Sequence, residues 1–274
     1  MPYICPICQS PLVKHLPSQG YYCKNKHHFD IAKEGYLNLL PVQHKKSKQP
    51  GDSRAMMRSR RHFLEAGFYQ QMAKALVTII DKHRTENLPM RILDMGCGEG
   101  YYSRQIEVLC NNIDTLELHG IDIAKNAILA AAKKQPNAHF IVASSKRMPY
   151  TDAYFDLILR VYAPSNDTEV QRLLKPNGLL LLVTPGPRHL WQLKEFIYKK
   201  VNQHEINIDL PNGFEQMESQ RISYKIKPDQ EQRMALLQMT PFAWRAKGEV
   251  QNNIQRATGL EIETDFILTL AIKK

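Results

Sequence analysis

Two groups of residues in this chain have the types and spacing for chemistry. The first is Leu93-Asp94-Met95-Gly96-Cys97-Gly98-Glu99-Gly100, an apolar run that ends in an acid and three alternating glycines. Glycine after a strand allows a tight turn at positive φ and lets a ligand approach the backbone. The spacing is G-x-G-x-G, not the G-x-G-x-x-G of a dinucleotide site. Asp94 would repel a pyrophosphate. A cationic nucleoside without phosphate suits the place, and S-adenosylmethionine is one. A second acid, Asp122, closes the apolar run from Leu118, one helix and one strand later. In a βαβ unit an acid there accepts hydrogen bonds from ribose hydroxyls. Its competing role is to cap the helix expected from Ala124 to Gln135. It can do both if its two carboxylate oxygens divide the work. On the sequence alone, Asp122→Ala is expected to weaken cofactor binding and leave the fold intact.

The second group is Cys5-Pro6-Ile7-Cys8 with Cys23-Lys24-Asn25-Lys26-His27-His28. The C-x2-C turn sets two thiolates on one side of a metal, and the second pair completes a tetrahedron suited to zinc. Four protein ligands leave no position for a reactive water, so such a site is structural. Zinc would supply folding energy to a segment with few apolar residues. Spacing does not choose between His27 and His28. The rival reading is a reduced C-x2-C beside an unrelated Cys and His.

The elements that must position these groups follow from the apolar pattern. Short continuous apolar runs at Arg91–Asp94, Leu118–Ile123, His139–Ala143, Phe155–Val161 and Leu179–Thr184 alternate with helical stretches. That pattern predicts a mostly parallel sheet buried on both faces, a Rossmann-like α/β domain. Ligands bind beyond the carboxyl ends of such strands. The loops 94–100, 122, 143–145, 160–164 and 184–190 therefore face the site. Runs at Gln220–Ile226 and Phe266–Ile272 predict an antiparallel C-terminal edge. Phe29 to Leu40 predicts a short strand pair closing the zinc module. A helix capped by Asp52 or Ser53 is expected to run through Tyr69, followed by helices over 69–88 and from Leu190 to Val201. The divisions are a zinc-binding module at 1–40, a basic connecting segment at 41–70 and a cofactor-binding domain at 71–274.

Charge points to the partner. Lys and Arg total 37 against 27 Asp and Glu, a formal charge of +10, which suits a polyanion such as nucleic acid. The stretch His44 to His62 holds seven Lys or Arg against one Asp. It reads as a set of phosphate contacts or as a solvated linker. Five cysteines, an odd count, argue against a disulfide framework and fit a reducing cytoplasm. No apolar run spans a bilayer, and no secretory signal is present. Leu236 to Arg245, with Phe242 and Trp244, reads as core packing or as a clamp on a flipped base.

The stretch from Arg91 to Gly186 resembles class I S-adenosylmethionine-dependent methyltransferases in Leu93 to Gly100, Gly120-Ile121-Asp122, Phe155-Asp156-Leu157-Ile158 and Leu174-Lys175-Pro176-Asn177-Gly178. Further stretches extend the likeness from the N-terminus past residue 245. They are the Cys5, Cys8, Cys23 and His27 set, Ala32-Lys33-Glu34-Gly35-Tyr36, Leu39 to His44, Pro50-Gly51-Asp52, Pro185 to Leu190 and Leu237 to Arg245. Over this span the chain is similar to bacterial large-subunit ribosomal RNA guanine-N1 methyltransferases. The resemblance selects His27 as the fourth zinc ligand. It implies cofactor contacts from Tyr69, Gly98, Glu99 and His189, beside Asp94, Gly96 and Asp122. It further implies a homodimer and a guanine in hairpin 35 of 23S ribosomal RNA as acceptor. The alternatives are a methyltransferase of the same fold with a small-molecule or other RNA acceptor, and an RNA-binding protein that keeps only the fold. The residue that takes the N1 proton is not identified. His189 is a candidate base, cofactor contact or satisfied loop histidine; Arg160 and Arg188 are candidates for stabilising the N1 anion or pairing with phosphates.

Overall fold

The computed structural model describes residues 2–15, 17, 19–44, 51–84, 88–110, 115–164, 166–206 and 209–274. The N-terminal module is a three-stranded antiparallel sheet of β1 (Val13–His15), β2 (Gly20–Tyr22) and β3 (His28–Asp30). The expected strand pair between Phe29 and Leu40 does not form as such. Strand β4 (Leu37–Asn38) pairs in parallel with β7 (His139–Val142), so it is the outer strand of the large sheet. A single bridge, Ile31 to Leu37, links it back to the module. The reason is burial. Leu37 and Leu39 are almost fully covered, and the three short strands offer little apolar surface to cover them.

Helix α1 (Arg54–Glu65) starts at Ser53, whose hydroxyl accepts from the backbone N–H of Met56 at 3.2 Å. It stops four residues before Tyr69 rather than running through it, and α2 (Gln70–Lys82) is a separate helix, shorter than 69–88. Gly67 in the turn between them has φ +83, which a continuous helix does not allow. Residues 45–50 of the basic stretch lie outside the described residues, and so do 85–87.

The remaining elements alternate as the pattern required: β5 (Met90–Met95), α3 (Tyr101–Leu109), β6 (Leu116–Asp122), α4 (Lys125–Lys134), β7, β8 (Phe155–Val161), α5 (Asp167–Leu173) and β9 (Leu174–Pro185). Helix α6 (Trp191–Glu195) is less than half the expected length. Leu190 enters it with a left-handed φ of +56. Then come β10 (Phe214–Ile226), α7 (Gln230–Gln238), α8 (Glu249–Arg256) and β11 (Ile262–Lys273). The eight strands lie in the order β10-β11-β9-β8-β5-β6-β7-β4. Strands β10 and β11 are antiparallel, as is β11 against β9; the other pairs are parallel.

The chain winds outward from β5 through β6 to β7, then crosses back to β8 on the other side of β5. That reversal opens a crevice at the carboxyl ends of β5 and β8, where sheets of this kind hold ligands. Both faces of the sheet are buried. One packs α2, α3, α7 and α8 through Met72, Leu76, Ile80, Ile106, Leu236 and Ile254. The other packs against α5 and the N-terminal module through Leu93, Ile121, Ile158, Val170 and Tyr3. The module is fastened there by Ile4 N–H to Pro149 C=O at 3.1 Å and Thr151 N–H to Pro2 C=O at 2.8 Å.

Candidate cofactor pocket and metal centre

The three glycines after β5 all have positive φ: +74 at Gly96, +55 at Gly98 and +70 at Gly100. The turn is therefore closed to other residues without strain. A Cβ on Gly96 would stand 2.5 Å from that of Ala163, while one on Gly98 would meet nothing within 4 Å. The first glycine packs against the loop after β8, and the second faces open space. Asp94 is buried and accepts from the Ser103 hydroxyl at 2.7 Å. Burial pushes its carboxyl up to about 6, and the nearby charge of Asp122 adds to the effect. Asp122 divides its oxygens. Oδ2 accepts from Gly98 N–H at 3.0 Å and Oδ1 from Ala124 N–H at 2.7 Å. It thus ties the glycine turn to β6 and caps the approach to α4, and each oxygen keeps a second lone pair. Burial raises this carboxyl too. Two carboxyls beside an open glycine turn, one buried and one part-buried, disfavour phosphate, and a cationic ligand would favour their ionised form. Acceptor oxygens of this kind fit the ribose hydroxyls and sulfonium charge of S-adenosylmethionine.

Glu99 is fixed from two directions. Its carboxylate takes both Nε and Nη2 of Arg61, and its carbonyl accepts from Arg104. Arg60 pairs with Asp52. Two of the basic residues expected to reach phosphate are therefore engaged within the chain. Arg58 instead lines a hollow of about 420 Å³ between α1 and α7, with Ser59, His62 and Gln238. Arg160 and Arg188, candidates for an N1 anion, pair with Asp167 and Glu263 respectively.

Tyr69 and His189 are buried against each other and against Phe266, with the phenol oxygen 3.5 Å from Nε2. Nδ1 of His189 accepts the backbone N–H of Asp265 at 3.2 Å, so the proton of the neutral ring is on Nε2. Burial drives this imidazole down to about 3, and the charge of Lys194 adds to the effect. The ring is neutral at physiological pH, and its one lone pair is taken. A neutral ring with its lone pair engaged is poorly placed to take a proton.

Tyr162 was not singled out by its sequence. It follows β8 directly, has φ +52, and is 45% exposed. A left-handed backbone at a bulky aromatic costs about 1–3 kcal/mol and persists where the surroundings enforce it. The signal available was an aromatic before Ala163-Pro164 at a strand end already placed in the site. Leu236 and Leu237 of the Leu236–Arg245 stretch are core, as the plainer reading had it. Trp244 stands 73% exposed, and Arg245 lies 5.4 Å over the Tyr198 ring.

At the other end of the molecule, Cys5, Cys8, Cys23 and His27 bring their donor atoms within 4.8 Å of one another. Cys8 and Cys23 sulfurs are 3.6 Å apart, and His27 Nδ1 is 3.4 Å from the sulfurs of Cys5 and Cys23. Zinc–sulfur bonds in a tetrahedron give sulfur–sulfur edges of about 3.8 Å, so the set fits the ion. His28 turns away, with Nδ1 3.3 Å from Asp30. Geometry thus selects His27. A second trio, Glu117, His119 and His139, does not fit a metal. Glu117 already accepts from Arg91, His119 and Tyr154, and the two imidazole rings lie 4.8 Å apart at only 33° rather than converging edge-on.

The doubly wound sheet with an antiparallel edge, the glycine turn and the acid at the end of β6 define a class I S-adenosylmethionine-dependent methyltransferase. Residues 87–240 match the methyltransferase domain family, to which the chain belongs, and residues 3–48 match the N-terminal zinc ribbon of RlmA. It is 29% identical over 245 residues to the 23S rRNA (guanine(748)-N(1))-methyltransferase of Streptomyces fradiae, covering 88% of this chain and 85% of that protein. It is 28% identical over 283 residues to YxjB of Bacillus subtilis (strain 168), provisionally named a 23S rRNA (guanine-N(1)-)-methyltransferase, covering 98% and 96%. A malonyl-[acyl-carrier protein] O-methyltransferase of Halorhodospira halophila (strain DSM 244 / SL1) is 28% identical over 163 residues, covering 53% of this chain and 54% of that protein. Zinc and S-adenosylmethionine are the cofactors of this architecture.

Proposed function

We propose that this methyltransferase transfers the methyl group of S-adenosylmethionine to N1 of a guanine in 23S ribosomal RNA, within hairpin 35. The observation that carries the reading is the zinc ribbon built onto the methyltransferase sheet through β4 and Tyr3. The relatives named for 23S guanine-N1 transfer cover 98% and 88% of the chain, whereas the acyl-carrier relative covers 53%. A small acceptor needs no second module. The formal charge of +10 suits a polyanionic one.

In this reading Cys5, Cys8, Cys23 and His27 would hold the zinc. Asp94, Gly96, Gly98, Glu99 and Asp122 would form the cofactor floor, with Tyr69 and His189 on the wall opposite. The bound cofactor supplies an electrophilic methyl group. The chain supplies alignment, which accounts for most of the rate in an in-line transfer. Asp122 holds the turn in place, and Arg61 holds Glu99. His189 keeps its proton on Nε2 and orients, rather than abstracts.

The proposal also divides the chain into a ribbon at 1–40, a basic connector at 41–70 and a catalytic domain at 71–274. The pairing of two copies around RNA belongs to the same proposal, and light scattering on the purified protein checks it. A methyl group on N1 blocks the Watson–Crick edge, so reverse transcription of a treated hairpin 35 transcript should stop beside the modified guanine. Unbroken read-through, with full transfer to some other acceptor, would refute the reading.

A further inference from the structure

We infer that Tyr162 is the platform on which the acceptor base stacks. Three independent observations converge on it. Its backbone is held at φ +52, although it is a bulky aromatic residue. The residue is 45% exposed, at the carboxyl end of β8, while burial holds its hydroxyl well above the usual phenol range. The next residue, Ala163, stands so close to Gly96 that a Cβ there would lie 2.5 Å away. The strained tyrosine is therefore anchored against the cofactor turn.

The support beneath the ring is built for rigidity. Tyr162 N–H donates to Val183 C=O at 3.2 Å, which extends the β8–β9 pairing to the end of the strand. The His189 ring lies 5.8 Å from the Tyr162 ring at 35°, and Phe266 lies at 6.4 Å. His189 is itself buried and held by Asp265, so Tyr162 is propped from that side while the residue as a whole keeps 45% of its surface exposed. A tyrosine that served packing alone would bury its ring in a relaxed backbone. A part-exposed aromatic residue on a fixed mount suits an unstacked base, since aromatic faces accept such bases with little loss of freedom.

The inference rests on the proposed RNA acceptor, and the substitutions separate the two. Tyr162→Leu keeps bulk without a π face, and Tyr162→Phe keeps the face without the hydroxyl. With hairpin 35 transcript as acceptor, Tyr162→Leu should lower kcat/KM for RNA about 10- to 100-fold. Tyr162→Phe should stay within about threefold of the parent protein. Calorimetry with S-adenosylhomocysteine should give the same Kd in all three, which also shows that the variants fold. Equal RNA kcat/KM in Tyr162→Leu, or an equal loss in Tyr162→Phe, overturns the inference and leaves the enzyme's function untouched. Should the parent protein methylate no ribosomal transcript, the RNA reading fails alone. The platform is then tested with guanosine, by saturation-transfer NMR on the protein loaded with S-adenosylhomocysteine. Binding kept in Tyr162→Phe and lost in Tyr162→Leu supports it; no binding to the parent, or equal binding in all three, overturns it.

Discussion

The guanidinium of Arg61 grips both carboxylate oxygens of Glu99, with Nε 2.5 Å from Oε2. The pair joins α1, in the basic connector, to the turn that carries the cofactor glycines. A two-point contact of this kind fixes direction as well as distance. Arg61→Glu places two acids face to face and should raise the Kd for S-adenosylmethionine about tenfold, the effect of ~1.4 kcal/mol. Arg58→Glu should leave that Kd unchanged, weaken RNA binding and reduce its salt slope by about one. Titration calorimetry and filter binding read the two effects. An Arg61 variant that loses RNA while keeping full cofactor affinity would contradict the role given to the pair.

Asp94 should make cofactor binding depend on pH. Its carboxyl is raised to about 6 in the folded chain, by burial first. A raised folded value means that the fold favours the protonated acid. The associated stability is present below the ordinary carboxylate range and is lost as pH rises through about 6. A cationic ligand has the opposite preference. Affinity for S-adenosylmethionine should climb between about pH 5 and 7, by up to tenfold per unit while the acid is protonated, and then level off. Asp94→Asn, which still accepts from Ser103, should flatten most of that climb. Calorimetry across the pH range checks it, and a flat parent profile would count against the assignment.

The sheet was readable because its strands are short, apolar and regularly spaced. The strand from Phe155 to Val161 falls on its expected bounds. The glycine turn and Asp122 were readable because positive φ and a strand-end acid leave marks on residue type. Other features depended on tertiary contact. Leu37 left the zinc module because the edge at Ile141 offered more burial. Arg60 and Arg61 look like free cations in sequence, and only folding brings Asp52 and Glu99 against them. Tyr162 carries no sequence mark of its backbone strain, since tyrosine is not a residue expected at φ +52.

The structure changes the expectation for Asp122. Its two oxygens hold Gly98 and Ala124, so Asp122→Ala should cost stability as well as affinity. Losing the acceptor for two backbone donors is worth about 1–2 kcal/mol where water reaches one of them. The thermal midpoint should drop by a few degrees. Cofactor Kd should rise at least about tenfold, since the proposed ribose acceptor goes too. A melting curve and a calorimetric titration on the same sample test both. An unchanged Kd would remove Asp122 from the cofactor site.

Metal content should discriminate between the two adjacent histidines. Cys5→Ser and His27→Ala should each reduce zinc well below one ion per chain and loosen the N-terminal module. His28→Ala should keep its zinc, because that ring pairs with Asp30 instead. Mass-spectrometric metal analysis of the purified variants reads this directly. Zinc retained in His27→Ala and lost in His28→Ala would reverse the assignment.

The most direct measurement uses S-adenosylmethionine carrying a deuterated methyl group, a hairpin 35 transcript of 23S ribosomal RNA, and nucleoside mass spectrometry of the digested product. The expected result is a mass-shifted 1-methylguanosine, at one position, absent when that guanine is replaced. Label recovered in another nucleoside, or in a small molecule with the RNA left unmodified, would contradict the assigned acceptor.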